Sequence, residues 1–303
     1  MGRDFCEAYE VSRAVFEEAD SALGFSLSKI VFEGPEEELV KTAITQPAIL
    51  VTSIAALRAA EQEYGKPFAP AFYGGHSLGE YTALVAAGAL SLGDAVRLVH
   101  KRGALMQDAV PLGEGAMSAV LGMDMPTLDA ICREASEACG GIACSPANVN
   151  APSQIVISGA AAAAAKAGEI AKERGATKVI PLKVSAPFHC ALMRPVADAL
   201  REEFAKLTWH DPQVPVAANV DASFLKSVDS IQRALYDQTY SPVLWSDEVQ
   251  AMTGAGVDAF LEFGPGNVLS GLIKRIAKGA KTAAVSGVPG IAKALELLEG
   301  GAA

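Results

Sequence analysis

Tryptophan is scarce in this 303-residue chain, which has 2, and histidine numbers only 4. The five cysteines (Cys6, Cys132, Cys139, Cys144 and Cys190) are odd in number and form no Cys-x-x-Cys pair. That pattern argues against a disulfide framework and fits thiols kept reduced. No histidine lies near the 132–144 group, so a zinc site there is not expected either. Positive charge is also short, with 25 Lys and Arg against 35 Asp and Glu and a formal net charge of −10. This argues against nonspecific nucleic-acid binding, and an anionic partner would need a local basic patch. No uninterrupted apolar run reaches the length of a membrane span, and the first residues lack the basic-then-apolar layout of a secretory leader. A cytoplasmic enzyme with no membrane partner is the expectation.

What is present is apolar material for a large core: half of the residues are hydrophobic and a fifth charged, as in ordinary globular proteins. Helical spacing predicts a helix over 3–22, a short one from Pro35, and a strongly apolar one over 46–63. Gly65 and Pro67 break the last of these before a short apolar run that reads as a strand. That run ends at Gly74, and a helix follows from Glu80. Between them lies Gly75-His76-Ser77-Leu78-Gly79, a G-x-S-x-G in the strand–turn–helix context that a nucleophile elbow requires. The turn would expose the Ser77 hydroxyl and aim the Leu78 N–H at a developing oxyanion. His76 and Leu78 therefore count with Ser77 as part of the substrate site, although the His76 ring should point away from the serine.

Residues 115–182 change character. Strand, helix, strand, strand, helix, strand is the order of a ferredoxin-like unit, here inserted into a larger body formed by 1–114 and 183–303. In that body strands alternate with helices, which implies a mostly parallel, helix-covered sheet. The fold expected is α/β: an α/β-hydrolase-like core with a ferredoxin-like subdomain.

A serine nucleophile needs a base. His100 falls within a helix, and His210 in an exposed turn. His189 follows a proline-set turn after a short strand, where a loop can present a side chain at a sheet edge. By position it reads equally as the base or as a satisfied core histidine. No acid between Ser77 and His189 clearly ends a core strand, which weakens a hydrolase triad and leaves a Ser–His dyad oriented by a backbone carbonyl. Arg102, from its own segment, reads as a solvated surface arginine.

Several stretches together resemble the malonyl-CoA:acyl carrier protein transacylases. They are Gly75 to Tyr81, Arg102-Gly103 with Met106-Gln107, Ser185-Ala186-Pro187-Phe188-His189, Asn219-Val220-Asp221, and Glu262-Phe263-Gly264-Pro265-Gly266. The resemblance implies ping-pong transfer of malonyl from coenzyme A to Ser77, then to the phosphopantetheine thiol of holo acyl carrier protein, with no metal or redox cofactor. It assigns Ser77 as nucleophile, His189 as general base and Arg102 as partner of the malonyl carboxylate, reversing the surface reading of that arginine. It also implies that Gln46 and Asn148 line the site and that the Leu244 carbonyl orients the histidine. Carrier docking would use Lys274, Arg275 and Lys278, or Lys183 and Arg194, and the protein would act as a monomer. A serine esterase or thioesterase, or a silent carrier-binding protein, are the rival readings.

One departure stands out. The family opens with a buried strand and a Gly-Gln-Gly-Ser-Gln loop that supplies a second oxyanion N–H, and Met1-Gly2-Arg3-Asp4 aligns just beyond it. Loss of one such donor costs about 100- to 1,000-fold in rate, and an absent strand leaves a gap or exposed edge. The sequence as given is therefore expected to be weakly active or unstable, and an upstream strand to restore it.

Overall fold

Apolar side chains recur along residues 42–64 on every face, and so the helix they form is buried all round. The helix Thr42–Tyr64 is the central post of the computed structural model, which describes residues 1–299. At 23 residues and a mean hydropathy of 1.4, it is long and apolar enough to cross a membrane. The sequence reading missed this because Thr45, Gln46, Thr52 and Ser53 interrupt the apolar run without lowering its average much. Within this structure 72% of that window is buried. The helices Glu10–Leu23 and Leu92–Asp108 pack along it, and close approach to the second requires Gly103, where a Cβ would collide with the backbone of Thr42 and Ala43.

The helix expected over 3–22 is two helices, Arg3–Ala8 and Glu10–Leu23. They are separated by Tyr9 in an extended conformation (φ −130°, ψ 125°).

Eight strands are present among the described residues. Four form one antiparallel sheet: β1 (Gly115–Leu121), β2 (Cys144–Ala151), β3 (Gln154–Ala160) and β4 (Lys178–Pro181), in spatial order β2-β3-β1-β4. The helices Met125–Ala138 and Ala161–Glu173 cover it, with Leu128, Ile131, Ile155, Ile157 and Ala167 in a shared apolar layer. Along β1 Val120 joins this layer, while Met117 packs with Ala147 and Val156 in a separate cluster, so both faces of the sheet are covered. This is the ferredoxin-like part of an α/β-hydrolase-like fold.

The larger body carries only short ladders. β5 (Val216–Ala217) pairs antiparallel with β6 (Phe224–Leu225), and β7 (Ala259–Phe263) pairs parallel with β8 (Lys281–Val285). The strand expected before the elbow is reduced to one parallel bridge, Tyr73 to Val216. The reason is visible on its other side. A cleft of about 830 Å³ separates residues 66–75 from β7, lined by Phe68, Phe72, Tyr73, Phe260 and Phe263. With no backbone across the cleft to pair with, the segment makes no continuous ladder. The cleft touches the elbow at Gly75, His76 and Leu78 but is not lined by Ser77, Arg102 or His189.

Candidate functional site

The elbow is held by its glycines and by a polar cradle beneath it. A Cβ on Gly75 would run into the backbone of Gly79, so only glycine lets the chain double back this tightly. Ser77 pays for the turn with a backbone at φ 54°, ψ −104°, a sparsely populated region that surrounding contacts must enforce. Asn219, just after β5, supplies them. Its Oδ1 accepts from the Ser77 N–H (2.7 Å), and its Nδ2 donates to the Gly75 carbonyl (2.9 Å). Gln238 Nε2 donates to the Ser77 carbonyl at 2.9 Å. The Leu78 N–H opens the helix Leu78–Ala86 and makes no hydrogen bond among the described residues. It is free to meet an oxyanion.

His189 reaches Ser77 from 112 residues away. It sits before the 3-10 turn Ala191–Met193, itself in a left-handed conformation (φ 57°). Its Nε2 lies 2.7 Å from the Ser77 Oγ, and its Nδ1 lies 2.9 Å from the Gln238 carbonyl. A carbonyl only accepts, so Nδ1 carries the hydrogen and Nε2 is left to accept from the serine hydroxyl. Burial, and next the nearby Arg102 guanidinium, push His189 down to about 3. The ring is neutral across the physiological range, the state a general base requires.

The carbonyl that orients His189 is thus that of Gln238, not of Leu244. Leu244 instead caps the helix Trp245–Gly254 and donates its N–H to the Asn219 carbonyl. Gln238 lies in the last turn of the helix Val228–Tyr240, where carbonyls have no intrahelical donor. That is the signal which could have located it, and a carbonyl's role leaves no trace in residue type.

Arg102 is no surface residue. It is 1% exposed and belongs to the helix Leu92–Asp108. One guanidinium nitrogen donates to Gln46 Oε1 (2.8 Å), and the other to Gln238 Oε1 (3.0 Å) and Ser77 Oγ (3.2 Å). Its carbon lies 5.2 Å from the centre of the Tyr81 ring, within cation–π range. Gln46 therefore stands at the site as an arginine ligand, its Nε2 turned to Met106 Sδ at 3.8 Å. The His76 ring makes no hydrogen bond to Ser77; its Nε2 lies 2.8 Å from Asn150 Oδ1 and its centre 6.0 Å from that of Trp245. Asn148 is buried in β2, its backbone bridged to Val243, and its side chain makes no hydrogen bond among the described residues. The asparagine that meets an elbow residue on this strand is Asn150, which falls at the irregularity between Val149 and Ala151.

Beneath the dyad lie two acids that sequence reasoning missed, since carboxylates are ordinarily exposed. Glu80 Oε2 accepts from the Asn219 N–H (3.2 Å) and from Gln238 Nε2 (2.9 Å), and Glu248 Oε1 accepts from Asn219 Nδ2 (3.0 Å). Both are fully buried. Burial pushes Glu80 up to about 7 and holds Glu248 well above the usual carboxylate range. Neither contacts His189 by hydrogen bond. The described residues contain no cluster of His, Cys, Asp or Glu able to hold a metal ion.

Residues 1–294 match the acyl transferase domain family. The chain is 47% identical to the malonyl CoA-acyl carrier protein transacylase of Escherichia coli K12, covering 98% of this chain and 94% of that one. It is 46% identical to the protein of the same name from Bacillus subtilis 168, over 99% and 93%. Among solved structures it superposes with a TM-score of 0.93 on an acyl carrier protein S-malonyltransferase from Vibrio cholerae, at 44% identity and covering 97% of this chain and 94% of that one. The same TM-score relates it to a malonyl-transacylase solved in complex with its type II PKS acyl-carrier protein, at 45% identity over 98% and 94%.

Proposed function

The chain belongs to the acyl transferase domain family and transfers malonyl from coenzyme A to acyl carrier protein, and from that premise we propose that Ser77, His189 and Arg102 carry the reaction. In the first half-reaction His189 Nε2 takes the Ser77 proton as Oγ attacks the thioester carbonyl. The oxyanion forms against the Leu78 N–H. Collapse breaks the C–S bond, and the imidazolium returns its proton to the departing thiolate. In the second half, the phosphopantetheine thiol of the carrier gives its proton to His189 and attacks the ester carbonyl; collapse breaks the Oγ–C bond, and the imidazolium returns the proton to Ser77 Oγ.

Arg102 binds the free carboxylate of the malonyl group. A planar guanidinium matches a carboxylate with two parallel hydrogen bonds, and this one already lies against the nucleophile. When the carboxylate arrives it replaces Ser77 Oγ and Gln238 Oε1 as acceptor. Gln46 keeps the other nitrogen oriented. The reading assigns no resident cofactor, because serine, imidazole and an activated thioester supply all the chemistry the transfer needs.

The observation that carries this reading is the contact geometry at Ser77 Oγ: imidazole at 2.7 Å, guanidinium at 3.2 Å. An esterase or thioesterase would place an acid on His189 Nδ1, where a backbone carbonyl stands instead. For carrier docking, Lys183, Lys274 and Lys278 are the better candidates, as they make no ion pair among the described residues. Arg275 is committed to Gln154 Oε1 (2.6 Å), and Arg194 stacks on Tyr240 (4.0 Å). The protein is taken to act as a monomer in the cytoplasm, where its five free cysteines stay reduced. The test is brief exposure to malonyl-CoA followed by mass analysis. A malonyl adduct on the peptide bearing Ser77, absent in Ser77→Ala, is expected. An adduct elsewhere, or none, would overturn the assignment.

A further inference from the structure

The transfer chemistry makes no use of Glu80 and Glu248, yet both sit fully buried on one asparagine directly behind the nucleophile. Each leaves one oxygen without a partner: Glu80 Oε1 and Glu248 Oε2 are buried and unbonded among the described residues. Two bare carboxylate oxygens in such a place are costly unless a proton neutralises at least one acid. The charged groups that face Glu80 come from three elements: Arg102 from the helix Leu92–Asp108, Glu248 from the helix Trp245–Gly254, and Asp221 from the loop after β5. With Glu248 protonated and Glu80 ionised, the buried Arg102 charge is balanced.

The link to the substrate site is continuous. Arg102 donates to Gln238 Oε1 at 3.0 Å, and the amide nitrogen of the same side chain donates to Glu80 Oε2 at 2.9 Å. We propose that Glu80 is a positioning residue that takes up a proton when the acyl group's carboxylate docks on Arg102, keeping the elbow's polar cradle neutral. The inference rests on the reading of Arg102 as the carboxylate partner. A second anion on the guanidinium removes the charge that favoured ionised Glu80. The proton moves to Glu80 Oε1, the free oxygen, so that the bonds from Asn219 and Gln238 to Oε2 survive and the strained Ser77 backbone stays in place. Neutralisation also avoids repulsion between Glu80 and the bound carboxylate. The acyl step itself leaves protons balanced, since the serine proton leaves on the coenzyme A thiol. Any net uptake therefore reports a group outside it.

Proton uptake on mixing the full chain with malonyl-CoA, read with an indicator dye in weak buffer and normalised to malonyl-serine by intact mass, tests this. With Glu80 titrating at about 7 and pushed further up by the new anion, uptake of a substantial fraction of a proton per acylated serine is expected at pH 7.5. At pH 5.5, where both acids already hold protons, uptake should vanish. Glu80→Gln should abolish the uptake per acylated serine at pH 7.5, whatever the rate at which acylation proceeds. If that variant fails to fold, the pH dependence of the unaltered protein decides alone, because uptake by His189 would grow rather than vanish toward pH 5.5. Malonyl-serine formed with less than about a tenth of a proton at pH 7.5, or uptake increasing at pH 5.5, would overturn the proposal while leaving the reading of Ser77 intact. Uptake that persists in Glu80→Gln would assign the proton elsewhere and overturn it too. No malonyl-serine at all would overturn the reading of Ser77, and this with it.

Discussion

Arg102→Ala should separate the grip on the substrate's carboxylate from the rest of the machinery. Arg102 is buried and has three acceptors, of which Gln238 Oε1 and Ser77 Oγ exchange for the carboxylate when the acyl group binds. A charge-assisted hydrogen bond is worth about 1.5–3 kcal/mol, and two parallel ones partly overlap, so about 3–4 kcal/mol of recognition is lost. At 1.4 kcal/mol per factor of ten, kcat/KM for malonyl-CoA should fall about 140- to 700-fold. Acetyl-CoA has no carboxylate to lose, and with the guanidinium gone from the Ser77 oxygen its kcat/KM should hold or rise. The substitution also strands Gln46 Oε1 and Gln238 Oε1 in the interior, costing about 1–3 kcal/mol each in stability. For that reason the quantity to measure is the ratio of kcat/KM for malonyl-CoA to that for acetyl-CoA on a single preparation. The fraction of folded protein cancels from it. A ratio within about fivefold of the unaltered protein's would refute the role given to Arg102, since even one lost charge-assisted bond exceeds that.

Three further outcomes follow from the same geometry. Asn219→Ala removes the acceptor of the Ser77 N–H and the donor to Gly75; urea denaturation should show a loss of about 2–4 kcal/mol, accompanied by a fall in kcat, and an unchanged midpoint would show that the cradle does not hold the elbow. Gly75→Ala drives a methyl into the Gly79 backbone, so expression should yield a protein destabilised by more than about 3 kcal/mol and without transfer activity; a stable, active variant would contradict the turn. His189, held near 3 against an ordinary 6.5, binds fewer protons folded than unfolded. Its contribution to stability is complete above 6.5 and is lost as pH falls toward 3, by about 1.4 kcal/mol per unit. Relative to His189→Gln, the unaltered protein should lose urea resistance at that slope between pH 6 and 4. Its kcat/KM should show no tenfold-per-unit decline centred on 6.5, and such a decline would mean that the ring is solvated.

Ser77 was legible in the sequence because the elbow's demands are local: glycines where the chain doubles back, and a helix to follow. The alternation of short strands and helices over 115–182 carried the ferredoxin-like unit for the same reason, since each element's period is written in consecutive residues. His189 was legible only as one of four histidines placed by a turn, and Arg102 only through resemblance. Its own segment shows a charged residue on a helix, and nothing in that pattern announces burial. Gln238, Asn219, Glu80 and Glu248 were invisible as a group, because their partnership spans 19 to 158 residues of separation and their residue types are usually found in water. The run before the elbow has the composition of a strand but pairs at a single residue, Tyr73 with Val216, and strand assignment depends on the second strand as much as on the first.

The contact between Arg102 and Ser77 Oγ at 3.2 Å also bears on what the resting protein refuses. The guanidinium occupies a lone pair of the very oxygen that must attack, and it is tethered on two other sides. A neutral acyl thioester offers it nothing better and so meets a muzzled nucleophile. An acyl group ending in an anion draws the cation off and uncovers the oxygen in one motion. Selectivity of this kind is exerted before the carbonyl is ever touched, by the admission ticket the donor carries at its far end.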